Sequence, residues 1–397
     1  MGQEVVVLDP MQLTSLAPGS LNPLDLIDPE SPTGVDDAAA LVALLLPMEL
    51  SGDKNSYWVN RARQLLMAVV LYVVTDGPVA ERTLSRVREM VNELAASPDR
   101  YEKEFLGSRH PEVRAITGNL SIAAKETLGS IISFAQEGID FMRGPAVQEV
   151  TAKSSFSLAD ITHGSDITVY VVVPPHMLES HGRLLRLWIS TLFMAITRRR
   201  RRPERPTLFI LDEAAQLGTL PQLRQALTLL RGYGLQTWSF WQDVSQLKSL
   251  YPSDWETMVN NCNVIQTFGA RNANAAKTMA GLVGFHSTER ILELDHFEML
   301  LQISGDEAVV AKRPNYLTDP AFQNLYDPNP IFSQGSEPPL TKPFREYLRP
   351  REINANAIFR DFALKEDESS SGFKYNVVDR LIVEKLKELI GSAQAKS

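Results

Sequence analysis

The chain has 397 residues, 44% of them hydrophobic and 22% charged, a balance that excludes a disordered or low-complexity polymer and suits one large folded domain with a smaller companion. Its formal net charge of −8 excludes a global pull toward nucleic acid, so any DNA contact has to come from a local basic patch or from a pore assembled from several subunits. The single cysteine, Cys262, excludes an internal disulfide framework and a thiolate zinc site, as suits a reducing compartment.

The opening MGQEVVVLDP lacks the basic stretch and apolar run of a secretory signal. Val5–Leu8 is a β-branched run ending at Asp9-Pro10 and predicts a buried strand, which leaves through a proline- and glycine-containing loop to Asn22-Pro23-Leu24. From about Asp36 to Gln148 the periodicity is helical throughout. Trp58, Ala62, Leu65, Val69 and Val73 share one stripe, Thr83–Leu94 carries a second, and Val113–Ala135 supports one or two further helices. The most apolar runs, Leu41–Leu46 and Leu65–Val74, fall well short of the ~20 residues of a membrane-spanning helix and predict buried helices. Residues 36–150 are therefore expected to form an all-helical domain inserted between residues 1–35 and 151–326 of one α/β core.

After Ser154 apolar strand segments return at Thr168–Val173, Leu208–Leu211, Thr237–Trp241 and Val264–Phe268. They alternate with helical segments at Arg183–Thr197, Leu220–Leu230, Asp254–Asn261 and Ala273–Leu282. Buried strands alternating with helices predict an α/β fold with a mainly parallel sheet flanked by helices. Trp238, Phe240 and Trp241 alternate on one such strand and are expected in the core rather than as base-stacking platforms. Residues 327–397 read as a tail. Asp327–Pro350 holds six prolines and is expected to be an extended arm; an acidic, serine-rich linker at Lys365–Gly372 precedes an expected amphipathic helix, Val377–Ile390, closed by Gly391.

The segment Leu208-Phe209-Ile210-Leu211-Asp212-Glu213 puts two carboxylates at the carboxyl end of a buried strand, where open α/β sheets place their ligand crevices. In P-loop NTPases an acid there holds Mg²⁺ beside the phosphates, and an adjacent glutamate polarises the attacking water. The plainer reading is a strand that ends in a solvated acidic turn. Arg198, Arg199, Arg200, Arg201 and Arg202, with Arg183, Arg186 and Arg205 nearby and Glu204 opposing, form the strongest basic cluster. Backbone phosphates suit it, as does the role of a solvated loop. His176 and His181 lack a third ligand at zinc-site spacing.

The long segment LFILDEAAQLGTLPQLRQALTLLRGYGLQTWSFWQDVSQLKSLY resembles the Walker B region of the TraG/TraD-like coupling proteins of conjugation and type IV secretion. VVVLDP followed by SLNPLDLI resembles that family's second Asp-Pro strand and Asn-Pro-Leu turn, NSYWVNRARQLL the first helix of its all-helical domain, and VNNCNVIQTFGARNANAAKTMAGLVG the segment after Walker B. The resemblance spans roughly residues 3–325. It implies a RecA-like P-loop NTPase core that uses ATP and Mg²⁺, with Asp212 holding Mg²⁺ through water and Glu213 activating water. It further implies that Arg231 acts as an arginine finger reaching a neighbouring subunit's γ-phosphate and that Gln242 senses that phosphate. Without it, Arg231 would be an ordinary cation at a helix C-terminus and Gln242 a strand-end amide. The implied partners are a relaxase within its relaxosome, single- or double-stranded DNA, inner-membrane components of the type IV secretion channel, and further copies in a homo-hexamer at the cytoplasmic face of the inner membrane.

One departure from that pattern is large. A P-loop needs G-x-x-x-x-G-K-[ST] to wrap and neutralise phosphates, and none of the chain's 22 glycines precedes a lysine. In the family, the P-loop strand lies in the middle of the sheet beside Walker B, and both it and the membrane helices precede the segment matched here. Met1 is accordingly expected to be an internal start, the polypeptide to be inactive alone, and strand faces and edges to stand exposed. Two other readings stay open: a truncated, non-catalytic interaction or regulatory paralogue, and an FtsK/HerA-like DNA translocase. The helix NSYWVNRARQLL and the Asn-Pro-Leu turn argue against the latter.

Overall fold

The computed structural model describes residues 2–47, 55–122, 124–285 and 287–326. The β-branched run near the start forms β1 (Glu4–Leu8), whose partner is distant in sequence: β2 (Ile167–Val171) pairs with it in parallel, from Glu4 opposite Ile167 to Leu8 opposite Val171. The excursion between them is helical, with no strand among the described residues. It comprises α1 (Gly34–Leu45), α2 (Ser56–Thr75), α3 (Leu84–Ala96), α4 (Pro98–Leu106), α5 (Pro111–Leu120), α6 (Lys125–Ile139) and α7 (Pro145–Thr151).

Helix α2 organises this block. Its buried residues run round most of its circumference, including Leu65, Leu66, Val69, Val70, Val73 and Val74, and such a helix is stable only when neighbours enclose it. Helices α1, α3, α5 and α6 do so. Helix α3 begins where the Thr83 hydroxyl accepts from the Arg86 amide at 3.1 Å, an N-cap worth roughly 1 kcal/mol.

The Asn-Pro-Leu turn ties the helices to the strands. Buried Asn22 accepts from Leu24 N through Oδ1 at 3.1 Å and donates through Nδ2 to Arg82 O at 2.7 Å. The returning chain meets it there, with Leu21 N bonded to Val150 O and Ser155 N to Ser20 O, both at 2.9 Å. Fully buried Trp188 donates its indole N–H to Leu21 O at 3.1 Å.

Beyond this node come α8 (Leu158–His163), β2 and α9 (Leu178–Thr197), and then β3 (Thr207–Leu211), α10 (Pro221–Thr228) and β4 (Leu235–Ser239). Strands β3 and β4 pair in parallel, Thr207 opposite Leu235 and Leu211 opposite Ser239. The chain continues through α11 (Val244–Leu250), α12 (Trp255–Asn260), β5 (Val264–Thr267), α13 (Ala273–Val283), α14 (Thr288–Leu292), β6 (Glu298–Ile303) and β7 (Val309–Lys312).

The fold is α/β with parallel strand pairs, as expected; the strand at Val264–Phe268, expected among the parallel strands, is the exception. Strand β5 pairs antiparallel with β6, and β6 antiparallel with β7. The β6–β7 pairing follows from the turn after Ile303, where Ser304 and Gly305 both adopt positive φ, at 53° and 81°, and the chain folds back as a hairpin. Residues to Arg313 form one compact unit; a second begins at Pro314, and its described part packs Tyr316 edge-on against Tyr326. The proline-rich arm and the helix expected at Val377–Ile390 lie outside the described residues. Among the described residues, no helix is long and apolar enough to cross a membrane.

The two faces of the β3–β4 pair differ sharply. Phe209, Leu211 and Leu235 point inward, with Phe209 stacked on Phe193 of α9 at 4.4 Å between ring centroids. Leu208, Ile210 and Trp238 point outward, Ile210 being 60% and Trp238 50% exposed. Trp238 is thus not a core residue as its alternation suggests; it lies beside Phe240 on an open apolar face. Val5 on β1 and Tyr170 on β2 are likewise exposed.

Arg199 locks the amino-terminal end of β3. It is buried and donates to four neutral acceptors: Ile161 O at 2.8 Å, Thr162 O at 2.9 Å, Tyr233 O at 2.9 Å and Thr207 Oγ1 at 2.6 Å. No carboxylate pairs with it among the described residues, and burial lowers its pKa. A guanidinium held this way joins the end of α8, the start of β3 and the turn before β4. Replacing it by alanine strands these carbonyls, so Arg199→Ala should lower unfolding free energy by roughly 3 kcal/mol in urea titrations, while Arg200→Ala stays within about 0.5 kcal/mol. Cys262, whose thiol donates to Met258 O at 3.3 Å and whose pKa is raised by burial, provides a second check. Less thiolate is present at neutral pH than in a free thiol, so alkylation should be slow in the native protein and accelerate across the urea transition.

Candidate active site

Strand pairing brings the carboxylates and the glutamine together. Beyond the last paired residues the ladder continues for one more step, with Phe240 N bonded to Leu211 O at 3.0 Å and Ala214 N to Phe240 O at 2.9 Å. This extension aligns the Asp212-Glu213 turn with Gln242. The Gln242 side-chain amide donates to both carboxylate oxygens of Glu213, at 2.7 and 2.8 Å. Gln242 is itself anchored, its backbone N–H donating to Gln246 Oε1 at 3.0 Å.

Glu213 holds a backbone conformation that a side chain rarely adopts, φ 55° and ψ 53°. A non-glycine residue there costs about 1–2 kcal/mol, and such strain persists where neighbouring bonds impose it. Here the bond from Ala214 to Phe240 and the Gln242 amide do so, and the effect is to turn the Glu213 carboxylate toward β4. Gly218, at φ 62°, closes the 3-10 turn Ala214–Leu217 that follows.

Asp212 behaves differently. Its side chain is exposed and has no hydrogen-bond or ion-pair partner among the described residues. Those residues contain no cluster of three or more metal-ligating side chains. One open carboxylate beside a second fits Mg²⁺ better than Ca²⁺ or Zn²⁺, because Mg²⁺ keeps most of its waters and takes further oxygens from phosphates. Asp212 would hold it; the phosphate oxygens would come from the nucleotide.

Arg231 is not part of this constellation. It lies in the 3-10 turn Leu230–Tyr233 before β4 rather than at the end of α10, so it stands at the amino end of the strand whose carboxyl end leads to Gln242. A five-residue strand spans roughly 17 Å, which places Arg231 far from Asp212 of the same chain. Its side chain is exposed and unpartnered among the described residues.

The five-arginine run divides. Arg199 is buried, as described above, and Arg198 pairs with Asp37 of α1 at 2.7 Å and bonds to Leu26 O. Of the five arginines expected as nucleic-acid contacts, these two have their guanidiniums engaged within the fold. Arg200, Arg201 and Arg202 are exposed at the amino end of β3. The stem of Arg202 packs over Gly234, where a Cβ would come within 3.2 Å of Arg202 Cγ, so the basic loop lies against the turn that carries Arg231.

The family described as type IV secretory system conjugative DNA transfer matches residues 1–290. The chain is 26% identical over 368 residues to the conjugal transfer protein TraG of Escherichia coli, an alignment covering 76% of this chain and 58% of that protein. It is 22% identical over 371 residues to the type IV secretion system-coupling protein VirD4 of Bartonella quintana, covering 91% and 57%. The chain thus spans somewhat more than half the length of these curated relatives. Among solved structures, the plasmid coupling protein TrwB in complex with a non-hydrolysable ATP analogue superposes with a TM-score of 0.61 at 14% identity, over 78% of this chain and 73% of that one. TrwB in complex with ADP and Mg²⁺ gives 0.59 at 14% identity over 78% and 74%. The shared fold is a RecA-like core with an all-helical domain. Because the family match covers residues 1–290 of 397, this protein is a member of the type IV secretory system conjugative DNA-transfer family.

Proposed function

We propose that this chain is the motor portion of a coupling protein that links a relaxase-bound DNA substrate to the inner-membrane channel of a type IV secretion system through ATP hydrolysis. The observation that carries this is the bidentate contact of Gln242 on Glu213 beside the open Asp212 carboxylate. The water-activating carboxylate and a γ-phosphate would compete as acceptors for the Gln242 amide. Engaging phosphate would release Glu213 toward water, so one hydrogen-bond exchange couples nucleotide state to the general base.

Arg231 supports a ring. Since it stands at the far end of the sheet from its own Asp212, its natural target is a phosphate on an adjacent copy, where an arginine finger contributes about 10³–10⁵-fold in rate. A hexamer would also gather Arg200, Arg201 and Arg202 of each subunit into one basic surface for the DNA backbone. The segment 36–150 would then serve as the inserted helical domain that meets the relaxosome, between parts 1–35 and 151–326 of the motor core, with 327–397 as a docking tail.

A P-loop is not among these 397 residues, because none of the glycines precedes a lysine. The exposed apolar face formed by Leu208, Ile210 and Trp238 suits a further strand and helix carrying a P-loop, since parallel strands are stable when covered on both faces. The same absence favours a second reading, a non-catalytic paralogue that occupies or modulates an intact ring.

Two outcomes are expected. A purified polypeptide of residues 1–397 should show no Mg²⁺-dependent ATP turnover above buffer in a phosphate-release assay; turnover abolished by Glu213→Gln would refute this. In fluorescence anisotropy with a single-stranded oligonucleotide, joint replacement of Arg200, Arg201 and Arg202 by alanine should weaken binding. The slope of log affinity against log salt should flatten by roughly 0.7 for each DNA phosphate that is no longer neutralised. An unchanged salt slope would remove the basic loop from the DNA interface.

A further inference from the structure

Helix α9 carries two arginines three residues apart, Arg183 and Arg186, which share one face. The fold accommodates them differently. Arg183 donates to Glu137 O at 2.5 Å and approaches the Glu137 carboxylate at 4.0 Å. Arg186 is half-buried and has no hydrogen-bond, ion-pair or ring partner among the described residues. Burial, reinforced by the neighbouring charge of Arg183, lowers its pKa.

Arg186 lines an open cavity of about 530 Å³ together with Pro175, Leu178, Gly182, Gln216 and Gly218. Pro175 and Leu178 follow β2, and Gln216 and Gly218 follow β3, so the cavity lies at the carboxyl ends of two strands, where open α/β sheets bind ligands. Gly218 keeps the space clear: a Cβ there would stand 3.2 Å from Arg186 Nη1, and its φ of 62° disfavours any side chain. A cation removed from water without an anion is costly, and a guanidinium fork matches the oxygens of phosphate. A carboxylate would be saturated by the fork alone. Gln216 also lines the cavity, and a glutamine amide there is a further donor suited to the third oxygen of a tetrahedral group.

We propose that Arg186, Gln216 and this cavity form a binding site for a phosphate group, delivered from solution by a nucleotide or by a nucleic-acid strand. The site requires neither a P-loop nor a ring, and it stands or falls independently of ATP turnover.

The test is calorimetric titration of the purified 397-residue protein with inorganic phosphate, at ionic strength matched with chloride. Saturable binding is expected, about tenfold weaker in Arg186→Gln and little changed in Arg183→Gln, with folding of each variant checked by its thermal transition. Competition by ADP and by a short single-stranded oligonucleotide then identifies the source, whichever displaces phosphate. Should Arg186→Gln fail to fold, Arg186→Lys decides, since it keeps the charge and loses the fork; undiminished affinity in that variant overturns the proposal. So does an absence of phosphate binding to the wild type, undiminished affinity in folded Arg186→Gln, or glutarate binding as tightly as phosphate.

Discussion

The parallel pairing of β3 with β4 is the constraint on which the site depends. Its register sets Leu211 opposite Ser239, and the one further step of ladder through Phe240 puts Glu213 and Gln242 side by side. A slip of one residue would turn every side chain of β3 to the opposite face, sending Phe209 and Leu211 into solvent and separating the carboxylate from the amide. Burial of Phe209 against Phe193 therefore fixes the chemistry as well as the core. The strain at Glu213 follows from the same register, because the chain has to turn sharply to leave the strand while Ala214 remains bonded to β4.

The two ends of this strand pair have different characters. At the carboxyl end lie Asp212, Glu213, Gln242 and the Arg186 cavity; at the amino end lie Arg231 and the exposed arginines 200–202. Arg199 holds the amino end together, bonding the turn that carries Arg231 to α8 and to Thr207. A cation that looks from its neighbours like part of a nucleic-acid patch thus sets the position of the residue proposed to act on an adjacent subunit. A chain that presents chemistry at both ends of one strand pair is suited to an assembly in which each copy completes its neighbour's site.

Much of this is legible in the sequence, for identifiable reasons. Strands β1 to β5 and the helices after Ser154 follow apolar runs bounded by proline, glycine and charge, so their existence and order are readable, with ends shifting by a few residues. The chemical pair Asp212-Glu213 is readable because it terminates an apolar run, and Arg231 and Gln242 because a long ungapped resemblance extends from it. Other features are hidden. The antiparallel hairpin β6–β7 is signalled only by modest alternation around Ser304-Gly305-Asp306. The burial of Arg199 within a run of five arginines has no one-dimensional signature, since it depends on carbonyls from two distant segments and on the Thr207 hydroxyl. The exposure of Trp238 inverts its alternation pattern because the pattern reports which residues share a face, whereas the cover over that face decides whether it is dry. Arg186 reads as one more surface cation until Gly218 and the ends of β2 and β3 are placed around it.

On the proposed reading, these residues supply the magnesium and water side of a nucleotide site and take its phosphate grip from a P-loop segment outside them. Binding of a non-hydrolysable ATP analogue, followed by calorimetry with and without Mg²⁺, tests this most directly. No saturable Mg²⁺-dependent binding is expected for the 397-residue polypeptide alone; it should appear on adding a strand–P-loop–helix polypeptide and be abolished by Asp212→Asn. Tight Mg²⁺-dependent binding by the polypeptide alone, abolished by Asp212→Asn, would contradict the reading.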